Sequence, residues 1–167
     1  HIHHGLEITE EFNQKLEALI EEYSLAPDVV SELKERLNHA NQRREQETRV
    51  LLDVLESYRK RYEVILMGGD LNSVAESQVV QSIKEFGFRD TWSIARPQDE
   101  GNTFDCTRNE ANHRLQTRFP LSLVLEDLTF SLKTKDALLS LARQQETRPR
   151  RIDYVWLKDG GTLTVKS

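Results

Sequence analysis

Cysteine is nearly missing from this chain: Cys106 is the only one in 167 residues. That excludes an internal disulfide framework and leaves the fold to apolar packing. It also fits a reducing compartment, which favours an intracellular setting, with no information at all as the alternative. Long apolar runs are missing too. Nothing approaches the roughly 20 consecutive apolar residues of a membrane span, so no such span is expected. The start shows no initiator methionine, signal or transit pattern. His1-Ile2-His3-His4-Gly5 instead reads as the end of a strand, as though the chain began inside a fold, with a tag remnant as the alternative. Positive charge is not in surplus: the net charge is −5, so no overall basic field draws in nucleic acid. What is present is a 37% hydrophobic, 31% charged sequence without low-complexity tracts. This is one domain, or a piece of one, with much solvated helix surface.

Helical spacing dominates the first third. Thr9 is a candidate N-cap for a helix carrying Phe12, Leu16, Leu19, Ile20 and Tyr23. Pro27 suits the first turn of a second helix with Val29, Val30, Leu33 and Leu37. A mixed-charge run over 34–49 reads as a solvated helix face, and a third helix with Val50, Leu51, Val54, Leu55 and Tyr58 ends near Lys60. Residues 64–67, Val-Ile-Leu-Met, follow as a strand whose unbroken apolar character predicts burial on both faces. After a loop at 69–72, Ser73 and Glu76 form the S-x-x-E pattern of a capping box. Val79, Val80, Ile83 and Phe86 form the stripe behind it, and Gly87 is a natural stop. Residues 88–94 read as a short strand or turn, 97–102 as loop, and 103–106 as extended. Helices are expected around 121–128 and 135–143. A strand is expected over 151–157, closed by Asp159-Gly160-Gly161.

Two places carry candidate chemistry. In Gly69-Asp70-Leu71-Asn72, side-chain alternation turns Asp70 and Asn72 the same way and Leu71 toward the core. A carboxylate and a carboxamide where a strand emerges suit a hard metal ion or a phosphate-bound water, although Gly, Asp and Asn also simply make turns. In the strand over 151–157, Asp153 shares a face with Val155 and Leu157. A carboxylate on an apolar face is costly without a partner. Arg143, Arg148, Arg150 and Arg151 form a basic patch suited to phosphate, with a solvated loop as the alternative.

Taken with Thr103-Phe104, Arg151-Ile152-Asp153-Tyr154 and His1-Ile2-His3, the chain resembles the endonuclease/exonuclease/phosphatase superfamily. These are metal-dependent phosphodiesterases that include DNase I-like nucleases, abasic-site endonucleases, sphingomyelinases and inositol phosphatases. Gly69-Asp70-Leu71-Asn72 is similar to the family's Gly-Asp-x-Asn strand end. Thr103-Phe104 is similar to its Thr-aromatic pair, with Asn109 in the place of a following Asn. Residues 151–154 resemble its Arg-Ile-Asp-Tyr strand. His1 resembles the histidine of its Asn-Thr-His-Leu strand. The likeness covers most of the chain from residue 62 onward and only a few residues before that.

The resemblance implies a metal-dependent hydrolase of phosphate esters acting by in-line attack of water. Asp70 would be the general base or the anchor of water and metal. Asn72 would contact a phosphate oxygen. Asp153 would orient a catalytic histidine, and His1 would stabilise or protonate phosphate oxygens. Asn109 and Arg151 are substrate-phosphate candidates. The oxygen-rich set implies Mg²⁺, or Mn²⁺ in its place, with Asp70 a ligand. The implied fold class is α/β, half of a four-layer α/β/β/α sandwich of DNase I type, with a helical insertion over 5–61. The family's metal-binding Glu and its Ser-Asp-His strand have no counterpart here, so the chain is expected to be the second half of a domain, with little turnover alone. The substrate is a phosphate ester of nucleic acid, lipid or inositol phosphate. The alternative is an inert module that binds a protein partner through residues 24–61.

Overall fold

The periodic start of the chain becomes α1 (Glu10–Glu22), capped as the sequence predicts by Thr9, whose hydroxyl accepts from the Phe12 N–H at 3.2 Å. The computed structural model describes residues 8–105, 128–160 and 163–165. It divides into two compact units, one holding the described residues of 43–104 and 149–165, the other those of 8–42, 105 and 128–148. The chain is a mixed α/β protein with one three-stranded antiparallel sheet among the described residues.

The helical unit packs α1 against α5 (Leu132–Thr147) and the first part of α2 (Pro27–Arg59). Phe12, Leu16, Leu33, Leu37, Leu138, Leu141 and Ala142 form its core. Each fully buried Leu or Phe side chain among them contributes about 1.5–3 kcal/mol. Pro27 opens α2, where its missing N–H costs nothing. Ser131 caps α5, its hydroxyl accepting from Thr134 N–H at 3.1 Å. The helix expected over 135–143 therefore begins three residues earlier and runs four further. That expected around 121–128 lies, apart from Leu128, outside the described residues.

Two helices were expected between Pro27 and Lys60, and the structure has one of 33 residues. The charged run does not interrupt it because it holds no Gly or Pro and its charges pair along the helix. Arg36 pairs with Glu32, Arg43 with Glu47 at 3.2 Å, and Arg49 with Glu45 at 3.6 Å. Nor is the run solvated all round: Arg44 and Thr48 are buried, and the Thr48 hydroxyl donates back to the Arg44 carbonyl at 2.8 Å.

The second unit is built on the sheet, in the order β1 (Ile65–Asp70), β3 (Asp153–Lys158), β2 (Arg89–Asp90). Ile65 pairs with Lys158 at one end of the β1–β3 ladder and Asp70 with Asp153 at the other. α3 (Gln78–Glu85) and the end of α2 cover one face, burying Leu55, Val79, Val80, Ile83, Phe88, Tyr154 and Trp156. Tyr154 and Trp156 stack with ring centroids 5.2 Å apart.

The structure revises three expectations here. β1 is not buried on both faces, since Leu66 is 70% exposed. The strand also runs through both glycines to Asp70, so only Leu71 and Asn72 remain of the expected loop. The cap of α3 is Ser77, whose hydroxyl accepts from Val80 N–H at 3.3 Å, not Ser73. Ser73 is instead buried, its carbonyl held from across the unit by Tyr154. The stop at Gly87 holds, with φ of 100°.

Candidate functional site

β1 and β3 carry Asp70 and Asp153 to the same end of the sheet as direct cross-strand partners. The Leu71 N–H donates to the Ile152 carbonyl at 2.8 Å, so the next pair along, Asp70 and Asp153, occupies a non-hydrogen-bonded position. Cα atoms there are typically about 4.5 Å apart, with both side chains on one face. Like charges so placed repel by a fraction of a kcal/mol and favour a positive group on the face they share.

The face is not the one the sequence predicts for Asp153. Tyr154, Trp156 and Leu157 are buried, whereas Asp153 and Val155 are exposed. The two large aromatic rings take the core side, and alternation turns Asp153 outward to solvent.

Asp70 is half-buried, and one carboxylate oxygen accepts from the Asn72 N–H at 2.7 Å. This is an Asx turn. Asn72 itself has φ of 47°, in the left-handed region that Asn tolerates better than most residues. Leu71 is buried as predicted. Alternation ends at Asn72, where the backbone turns, so the pleat does not fix the direction of its amide.

Thr103 fixes the other side of the pair. Its hydroxyl accepts from the N–H groups of Ile152 and Asp153, each at 3.2 Å. Its own N–H donates to the Arg150 carbonyl at 3.1 Å, and Phe104 bridges to Arg150.

Arg151 has a different role from the phosphate contact expected of it. Its guanidinium forms a two-pronged pair with Asp90, Nη1 donating to Oδ1 at 3.1 Å and Nη2 to Oδ2, and also reaches the Ser93 hydroxyl at 3.2 Å. Both charged side chains are buried. Burial raises the Asp90 carboxyl pKa, but hydrogen bonds from Arg151 and Ser93 and the Arg151 charge outweigh it and hold the group below its ordinary value. Asp90 also caps the short α4 (Thr91–Ala95), accepting from Trp92 N–H at 3.2 Å.

Two further arginines of the expected basic patch also have partners within the protein. Arg150 lies over the Phe104 ring at 4.4 Å, and Arg148 pairs with Glu11 at 2.7 Å. His1 and Asn109 lie outside the described residues. The structure thus brings Asp70, Asn72 and Asp153 to one end of the sheet and takes Arg151 into the interior.

Protein-family models, curated proteins and solved structures were compared with the chain, and none matches.

Three contributors were not visible as such in the sequence: Asp90, the Tyr154 hydroxyl and the Thr103 hydroxyl as a backbone anchor. Asp90 had a local signal, an Asp three residues before Ser93 at a helix start. The other two act over separations of 49 to 81 residues, beyond the reach of any local pattern. As for a metal, the donors at the sheet end are oxygens of two carboxylates and a carboxamide. These fit a hard cation such as Mg²⁺ or Mn²⁺, which commonly takes one or two carboxylates and completes its shell with water. Among the described residues no group of three or more His, Cys, Asp and Glu side chains gathers to hold an ion.

Proposed function

We propose that this chain carries part of the site of a metal-dependent phosphoric ester hydrolase of DNase I-like type, belonging to a larger α/β/β/α sandwich. The observation that carries this reading is the cross-strand pairing of Asp70 with Asp153, 83 positions apart in sequence, beside Asn72. Two motifs that resemble the family separately thus meet at one end of one sheet face. The exposed Leu66 and Val155 on that face are in keeping with a sheet that has a second layer in the complete sandwich.

In this reading Asp70 accepts the proton of the attacking water, a role within reach of a partly buried carboxylate held by the Asn72 N–H. The Asn72 amide donates to a phosphate oxygen as charge builds at phosphorus. Asp153 orients an imidazole, holding its proton at the nitrogen facing the carboxylate. Asp70 is the candidate Mg²⁺ or Mn²⁺ ligand, and the bound ion would neutralise charge on the phosphoryl oxygens. The substrate is a phosphate ester.

The test is hydrolysis of bis(p-nitrophenyl) phosphate, plasmid DNA, inositol phosphates and sphingomyelin by the full polypeptide, in Mg²⁺ and in EDTA. Asp70→Asn is expected to lower kcat about 10²–10⁴-fold, the usual weight of a positioned acid or base. Wild-type rates in that variant, or hydrolysis indifferent to EDTA, would overturn the reading.

One observation favours a second reading, an inert module docking a protein partner. Val50, Val54 and Tyr58 stand exposed at i, i+4, i+8 along the end of α2, a stripe inside the 24–61 region. Loss of partner capture on Val54→Glu, with no hydrolysis by any form, would favour it.

A further inference from the structure

We infer that the Tyr154 hydroxyl is a positioning group that holds the two chain segments carrying Asp70 and Asp153 in register. The inference rests on the proposed function for what the site does, and on geometry for how it is held.

Tyr154 follows Asp153, so its side chain leaves the opposite face of β3 and enters the core, where the residue is 3% exposed. The ring is fixed on two sides. It stacks on Trp156, and the Arg151 guanidinium carbon lies 4.6 Å from its centroid. From that seat the hydroxyl lies 3.0 Å from the Ser73 carbonyl and 3.1 Å from the Arg151 carbonyl. It has one proton to donate and shares it between two acceptors.

Those carbonyls belong to the two halves of the site. Ser73 directly follows Asn72, and Arg151 stands two residues before Asp153. The ladder cannot hold the first of them. Beyond the Leu71 N–H to Ile152 carbonyl bond the backbone turns at Asn72, and the chain reaches Ser73 past the end of β1. A buried carbonyl there needs a donor, and Tyr154 supplies it from a rigid ring. The same hydroxyl therefore sets where the Asp70-to-Asn72 turn sits relative to the start of β3. A displacement of about 1 Å in such a turn can cost about 10²-fold in rate without touching the reacting groups.

The experiment is Tyr154→Phe in the full polypeptide, which keeps the ring and removes the donor. Amide hydrogen exchange is expected to speed up about tenfold or more at residues 71–74, with Val80 and Ile83 in α3 unchanged. With bis(p-nitrophenyl) phosphate and Mg²⁺, kcat is expected to fall about 10–100-fold with KM moving less than about threefold. Unchanged exchange at 71–74 overturns the inference, and so does local loosening with an unchanged kcat. Loosening across α3 as well, or failure to fold, makes the hydroxyl a general prop of the core and also overturns it. If the wild-type protein hydrolyses nothing in Mg²⁺, the proposed function falls, and the exchange result alone decides whether Tyr154 holds the two segments together.

Discussion

Asp90→Ala removes one partner of a buried ion pair and leaves the Arg151 guanidinium in the interior without its carboxylate. The side chains of the pair are 8% and 4% exposed, so solvent offers little rescue. An uncompensated buried charge costs about 3–5 kcal/mol. The same carboxylate caps α4 through the Trp92 N–H, and loss of a cap adds about 1 kcal/mol. The expected loss is therefore about 4–6 kcal/mol, a large share of the ~5–15 kcal/mol that holds a typical domain together. Asp90→Leu with Arg151→Met, which replaces both charges by apolar groups, is expected to recover most of that loss. The assay is urea unfolding followed by tryptophan fluorescence, which reports on the sheet unit because both tryptophans, Trp92 and Trp156, belong to it. Acid gives an independent check. The folded pKa of Asp90 is depressed below the ordinary 3.8, so the pair's stabilisation is fully present above that value. It is lost as pH falls through the folded pKa. The wild-type protein should lose stability in that range more steeply than Asp90→Asn. A loss below about 1 kcal/mol for Asp90→Ala, or a double variant no better than Asp90→Ala, would refute the argument.

Two further outcomes follow from packing. Gly101 has φ of 65°, and a Cβ there would run into the Trp92 indole. Gly101→Ala should therefore cost about 1–3 kcal/mol and shift Trp92 emission in a Trp156→Phe background. Emission unchanged from the parent would refute it. Leu66→Ser, at a side chain 70% exposed, should change stability by less than about 0.5 kcal/mol. A loss above 1.5 kcal/mol in the same urea assay would mean that this side chain is covered.

Periodicity made α1 and the apolar stripe of α3 readable, and Thr9 and Gly87 marked their ends. β1 and β3 were readable as strands, and Asp70, read in the loop after β1, and Asp153 stood out beside them. What remained hidden depends on partners distant in sequence. The capping box at Ser73 is sound local chemistry, but Tyr154 holds the Ser73 carbonyl and the helix starts from the next serine that fits, Ser77. Asp153, Val155 and Leu157 looked like a core face because the pattern does not weigh side-chain size, whereas stacked Tyr154 and Trp156 decide which face is buried. Arg151 looked like a phosphate ligand because Asp90, 61 residues away, was read only as part of a short strand or turn. The charged run was read as a solvated helix face between two helices because it lacks apolar period, although without Gly or Pro and with its charges paired it carries one helix through.

The strand order has a consequence for how the protein is made. β3 lies between β1 and β2, yet it is the last of the three to be synthesised. At about 5–20 residues per second, the 88 residues from Asp70 to Lys158 take roughly 4–18 s to emerge. Until β3 emerges, β1 and β2 lack the strand that lies between them in the described sheet, and Asp70 lacks its cross-strand partner Asp153. A nascent chain in that state presents Ile65, Leu66 and Met67 to whatever binds exposed apolar segments. The sheet, the burial of Trp156 and the pairing of the two carboxylates all require that one late strand.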